Sequence, residues 1–163
     1  MPRPRHVILG QCRRLAILES PLGKCAMNAE LIEKFLAKTR YGYLTTLRRD
    51  GSPLTVPVWF EWDGEVVRVF TGKDSTKVKR IRHDPRVTLL VTNHLDEHEA
   101  WVAFDGPATI ELEGAVALAE RLAQQYWDLS DPEHKATLEG WREQADTLCV
   151  IALRPEKVRT SAE

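Results

Sequence analysis

Apolar and polar positions change their spacing several times along the chain, and each change marks an element. Leu31, Ile32, Phe35 and Leu36 recur on one helical face; Asn28 is placed to cap that helix and Gly42 to end it. From Tyr43 the pattern becomes that of strands. Residues 43–48 are β-branched and aromatic, and Asp50-Gly51 follows as a turn. Val56, Val58, Phe60 and Trp62 alternate in a second strand over 53–62, and Asp63-Gly64 is a hairpin signal before a third strand over 65–71. Ser75 or Thr76 caps a short basic helix that stops near Asp84-Pro85. A fourth strand covers 86–92 and a polar loop 93–99. A fifth strand covers 101–112, with a bulge or sharp bend expected at Asp105-Gly106-Pro107. An amphipathic helix over 115–127, a short helix over 132–144 and a last strand over 147–153 complete the pattern.

Two adjacent hairpin turns and no strand–helix–strand alternation argue against a parallel sheet. The expected architecture is mainly β with flanking helices: six antiparallel strands curled into a closed or nearly closed barrel, which removes exposed edges. One domain over 27–158 is expected, with tails at 1–26 and 159–163. The first tail carries Arg3, Arg5, Arg13, Arg14 and Lys24 against Glu19. That composition reads as a loosely ordered tail, although a transit peptide would share it; the apolar run Val7-Ile-Leu9 is too short for a signal-peptide core. No stretch is long and apolar enough to span a membrane.

The charge balance is near zero, 23 basic against 24 acidic residues, which argues against nucleic-acid binding over the whole surface. Cys12, Cys25 and Cys149 are far apart, so neither a disulfide framework nor a zinc knuckle can be read from them. A reducing, cytoplasmic setting is expected.

Three segments could carry chemistry. In the first, Arg68, Lys73, Lys77, Lys79, Arg80, Arg82 and Arg86 are opposed by Asp74 and Asp84. Gly72 lets a ligand approach the backbone, and the helix start at Ser75 and Thr76 offers hydroxyls and unpaired amides to an anion. Lys77 stands in the first helical turn, where a cation opposes the helix dipole and an anionic ligand would offset it. A solvated basic helix is the plainer alternative. The second is Val56-Pro-Val-Trp59. A proline within a strand marks an edge or bulge, leaving backbone groups beside it for a ligand and Trp59 as a planar neighbour; an ordinary edge strand is the alternative. The third, His94-Leu-Asp-Glu-His98, matches a zinc-protease pattern, but that pattern needs a helix, and this one sits between two strands. It reads as a solvated connection. No nucleophile–base arrangement stands out, so a cofactor would have to carry any chemistry.

Four ordered pieces resemble the split-barrel flavin and deazaflavin oxidoreductases, the superfamily named after pyridoxamine 5′-phosphate oxidase. They are residues 43–53, Val56 to Phe60, Phe70 to Lys77 followed by Asp84-Pro-Arg-Val87, and Trp101 to Gly106. The resemblance implies a split barrel of Greek-key type and a homodimer with a cofactor in each of two clefts between subunits. Val56, Pro57, Val58 and Trp59 would line the ring, partly through backbone groups. Thr71, Ser75, Thr76, Lys77 and Arg80 would hold the phosphate. Trp101 would approach the ring, from the partner chain by one arrangement. FMN is the cofactor implied, with coenzyme F420 as the alternative. The chemistry would be hydride transfer to or from a small organic substrate, with no metal. A flavin- or haem-binding stress or sensor protein without turnover is the rival. The chain departs from true pyridoxamine phosphate oxidases in two places. It lacks their basic residue on the second strand, and residues 153–160 lack their Arg-x-His pair. Vitamin B6 oxidation is therefore not expected. Thr76 stands where the oxidases have arginine, and Arg80 where the deazaflavin reductases often have asparagine.

Overall fold

The computed structural model describes residues 29–161; the expected tail at 1–26 and the cap at Asn28 lie outside them. In chain order the elements are α1 (Ala29–Leu36), β1 (Gly42–Leu47), β2 (Pro53–Val58), β3 (Glu61–Trp62), β4 (Val67–Gly72), α2 (Thr76–His83), β5 (Arg86–Thr92), β6 (Trp101–Glu111), α3 (Ala115–Tyr126), α4 (Pro132–Glu143), a 3-10 turn (Ala145–Thr147), β7 (Leu148–Leu153) and β8 (Lys157–Ser161). Every strand pair is antiparallel. The strand order is β2-β1-β5-β6-β7-β4-β3, with β8 beside β6. The end members of that path, β2 and β3, follow one another in the chain, so the sheet curls back on itself as a split barrel.

Strand alternation fills the barrel. Val56, Leu44, Leu89, Phe104 and Val158 stand in one register row across β2, β1, β5, β6 and β8, and all five belong to the main apolar cluster. Ile32 and Leu36 of α1 and Val78 and Ile81 of α2 join it. β7 is buried at all six positions. Its Cys149, Ile151 and Leu153 face this core, while Leu148 and Val150 pack under Leu118 and Leu122 of α3. That explains why β7 reads as a continuous apolar run rather than an alternating one.

Eight strands replace the six expected. The second expected strand breaks at Trp59-Phe60 into β2 and β3, because Trp59 packs into the helical layer while Phe60 is buried in the barrel. The expected C-terminal tail at 159–163 begins inside β8, whose residues 157–161 pair with Trp101–Asp105 of β6. Nor does Gly42 end α1, which stops at Leu36. Gly42 lies in β1 without a positive φ; a Cβ there would sit 3.0 Å from Leu89 and 3.1 Å from Phe60, so size is what the position demands. The Asp105–Pro107 segment holds no bulge against β5, for that register is unbroken. It is instead where β6 exchanges one partner for another, β8 up to Asp105 and β7 from Ala108. At Gly106 a Cβ would come within 2.5 Å of the Arg154 carbonyl oxygen. No helix among the described residues is long and apolar enough to cross a membrane.

Candidate functional site

The site is built where β4 hands over to α2. Thr71, next to last in β4, is buried and lies opposite Cys149 of β7. The chain then turns tightly. The Ser75 amide donates to the Gly72 carbonyl (3.0 Å), the Lys73 amide to the Thr147 carbonyl (2.8 Å), and the Lys73 ammonium to the Asp146 carbonyl. Ser75, in extended conformation, caps α2, its Oγ accepting from the Val78 amide. The first-turn amides of a helix have no acceptor within it, so α2 begins with donors and two hydroxyl residues at one spot. Val78 and Ile81 are buried and fix the helix to the barrel. Lys77 and Arg80 are half-buried; Thr76, Lys79 and Arg82 are exposed.

Lys77 has an unusual environment. Its Nζ donates to Thr71 Oγ1 at 2.9 Å. Burial lowers its pKa, opposed by the neighbouring Cys149 thiol. Burial also raises the thiol's own pKa, which Arg82, Lys73 and Lys77 pull back down. No ion pair joins Lys73, Lys77, Lys79, Arg80 or Arg82 to a carboxylate among the described residues, whereas Lys38, Arg40, Arg68, Arg86, Arg121, Arg142 and Arg159 are all so paired. Asp84, at the far end of α2, is taken by Arg86, whose bonds bring its carboxyl down to about 2. The segment is thus a patch of uncompensated cations over a half-buried lysine, and it fits a phosphate.

The other predicted residues are placed around it unevenly. Thr71, Ser75, Thr76, Lys77 and Arg80 come together. α2 packs on β1 and β6, and β2 is paired to β1, so Val56, Pro57 and Val58 stand one strand beyond. Val56 and Val58 turn toward the core, while Pro57 is exposed, opposite Tyr43. The far edge of β2 has no partner strand among the described residues. Trp59 joins an aromatic cluster, stacking on Tyr126 (4.9 Å between centroids) and meeting Trp127 edge-on (4.6 Å). Phe70 and Trp141 complete that cluster. Trp101, at the start of β6, is paired with Thr92 and Ser161, and no ring contact joins it to Trp59. Neither of two open clefts at the surface, of about 480 and 530 Å³, is lined by a residue expected to hold the cofactor. Cys149 and the Asp146 and Thr147 carbonyls were not legible, since only the β4–β7 register brings them here.

The His94–His98 segment is a loop, as expected. Glu97 pairs with Arg40 and Lys38, and His94 bonds the Thr39 carbonyl. No cluster of three metal-ligating side chains occurs among the described residues.

The profile of the pyridoxamine 5′-phosphate oxidase family matches residues 29–162. The chain belongs to this family. Among solved structures, an F420 reductase is 26% identical, with a TM-score of 0.63 over 77% of this chain and 94% of that one. A conserved hypothetical protein from Mycobacterium tuberculosis (24% identity, TM-score 0.69, covering 89% and 90%) and a heme binding protein from Mycobacterium smegmatis (21%, 0.59, covering 81% and 52%) share the fold. A comparison with curated proteins finds no match.

Proposed function

We propose that this family member is an oxidoreductase that binds a flavin-type cofactor, FMN, with its phosphate on the segment Thr71–Arg80. The supporting observation is Lys77, a half-buried ammonium whose protein partner is a neutral hydroxyl. Removing a charge from water without a counter-charge is costly, and a bound phosphate supplies one. Thr71 orients the ammonium, Ser75 and Thr76 present hydroxyls and amides, and Arg80 adds a second charge. When bound, the cofactor supplies hydride transfer. The protein's part is to orient the ring against β2, through Val56, Pro57, Val58 and Trp59, and to exclude water. A second copy of the chain would close the site, bringing Trp101 toward the ring; the far edge of β2 has no partner strand among the described residues. The substrate is a small organic molecule outside the vitamin B6 phosphates. F420 is a second reading, favoured by the uncompensated Lys79, Arg80 and Arg82, which suit a longer anionic tail, and by the F420 reductase among the similar structures.

Visible spectra of the purified protein titrated with FMN and with F420 test both. Saturable binding of either in the micromolar range supports the reading and chooses the ring; binding of neither removes it. Reduction of the bound cofactor by a nicotinamide or by reduced F420, then reoxidation by a substrate panel, separates turnover from simple binding.

A further inference from the structure

Trp59 follows β2 and Trp101 opens β6. They are the two indoles that the proposed function sets beside the cofactor ring, and one buried residue is bonded toward both. Arg40, between α1 and β1, is 3% exposed. Its guanidinium lies 4.1 Å over the Phe35 ring, and its Nε donates to the Phe35 carbonyl at 3.0 Å. Its Nη1 pairs with Glu97 at 2.6 Å and donates to the Thr92 carbonyl at 3.4 Å. A buried guanidinium persists only where a counter-charge and acceptors meet it. These four contacts therefore tie the 35–40 segment to the β5–β6 hairpin in one arrangement.

Two arms leave this point. The first runs through the backbone. The Arg40 carbonyl accepts from the Tyr126 hydroxyl, and burial pushes that hydroxyl up to about 12, so it stays a donor in ordinary buffers. The Tyr126 ring lies on Trp59, 4.9 Å between centroids and 18° from parallel. Thr39 adds a second tie to the same helix end, its Oγ1 donating to the Gln125 carbonyl at 3.3 Å. The second arm runs through the side chain. Thr92, whose carbonyl Arg40 holds, is the register partner of Trp101. Glu97 also takes Lys38 at 2.6 Å and the His94 amide at 3.0 Å. The Asn93 amide closes the loop on the Ala100 carbonyl at 3.0 Å, one residue before Trp101. None of these bonds reaches Thr71–Arg80, so the network serves the ring end of the site and not the phosphate end. A side chain that is already ordered loses less freedom when a ligand arrives, and affinity rises accordingly.

We propose that Arg40 is a positioning residue for the cofactor ring, fixing Trp59 through Tyr126 and Trp101 through Thr92 and Glu97 before the ring arrives. This rests on the proposed function, which places those indoles at the ring. The full chain is titrated with FMN and with F420, and the visible circular dichroism of the bound ring is recorded at saturation, below each variant's melting transition. Tyr126→Phe cuts the first arm and Glu97→Gln the second. Each should weaken binding roughly three- to tenfold, as expected for losing the order of one or two side chains. Each should also alter the visible band at saturation, because that band reports the groups beside the ring. Lys77→Ala, at the phosphate end, should weaken binding and keep the wild-type band. Arg40→Met should alter the band as the Tyr126→Phe/Glu97→Gln double variant does; where it does not fold, the two arm variants carry the test. Wild-type affinity and band in either arm variant overturns the proposal. So does a loss of affinity with an unchanged band at saturation, which would mean that Arg40 only stabilises the fold. A wild type that binds neither cofactor overturns the proposed function and this inference with it, whereas a wild type that binds while the arm variants match it overturns the inference alone.

Discussion

Lys77 and Thr71 form the point on which the binding reading turns. Lys77→Ala removes the half-buried charge and is expected to weaken cofactor binding by roughly 1.5–3 kcal/mol, the range for a hydrogen bond to a charged group. An unchanged dissociation constant by fluorescence titration would take Lys77 out of the site. The pH dependence has a definite sign. Burial holds the Lys77 pKa below its ordinary value in the free protein, and a bound phosphate dianion raises it again. Binding therefore takes up a proton between the two values, and affinity should fall as pH rises through the lowered pKa toward the bound one. Replacing Lys77 with methionine should flatten that alkaline limb. Gly42 makes a different kind of residue-scale prediction. Its missing Cβ is the space filled by Leu89 and Phe60, so Gly42→Ala overpacks the barrel and should cost about 1–3 kcal/mol in denaturant unfolding. The chain sequence marks the glycine; it does not mark which contact needs it. The helix-ending role expected at Gly42 comes from local rules alone, while the actual constraint is set by two side chains distant in sequence, Leu89 of β5 and Phe60 between β2 and β3.

At the scale of elements, those with local causes were legible and those with distant causes were not. Asp63-Gly64 shows its turn because Gly64 takes a positive φ and Asp63 accepts from the amides of residues 65 and 66. Ser75 caps α2, as its position before a basic run implies. β8 was missed because Lys157, Val158 and Arg159 give one alternation, too short to separate from a tail. Its stability comes from β6 and from Arg159, whose Nε bonds Asp105 at 2.6 Å. The loop expected over 93–99 lies between β5 and β6, yet its tie to Arg40 spans more than fifty residues and no pattern announces it. Arg40 and Lys38 hold the Glu97 carboxyl far below the usual carboxylate range. A group depressed in this way stabilises the fold above its unfolded pKa, and the stabilisation is lost as pH falls through the folded value. The loop should accordingly stay latched through mildly acid solution. Glu97→Gln leaves buried Arg40 without its counter-charge, so it should lower the melting temperature at neutral pH, with a gap to wild type that narrows in strong acid. A pH-independent gap would mean that Glu97 contributes packing rather than charge.

In the whole molecule, β6 is the spine. It pairs with β5 along seven residues, with β8 at one end and with β7 at the other, changing partners at Gly106. The Pro107 carbonyl accepts from the Arg154 amide and the Asp105 carbonyl from the Glu156 amide, so the chain between β7 and β8 is stitched to the corner it crosses. β8 is consequently not an appendage. It caps the row that contains Leu44, Leu89 and Phe104, and its own Val158 is buried in that row. Ending the chain after Glu156 would bare the β6 edge over Trp101–Asp105, strip the cover from Phe104 and free Asp105 from Arg159. An uncovered, largely apolar strand edge invites pairing between molecules. The truncated protein should therefore unfold at lower temperature and aggregate on heating, while Val158→Ala in the full chain should cost only the smaller cavity penalty, about 1–3 kcal/mol for a few buried carbons. Melting followed by circular dichroism and light scattering separates these outcomes. If truncation and Val158→Ala shift the midpoint equally, without aggregation, β8 acts through one side chain and the barrel closes without its backbone.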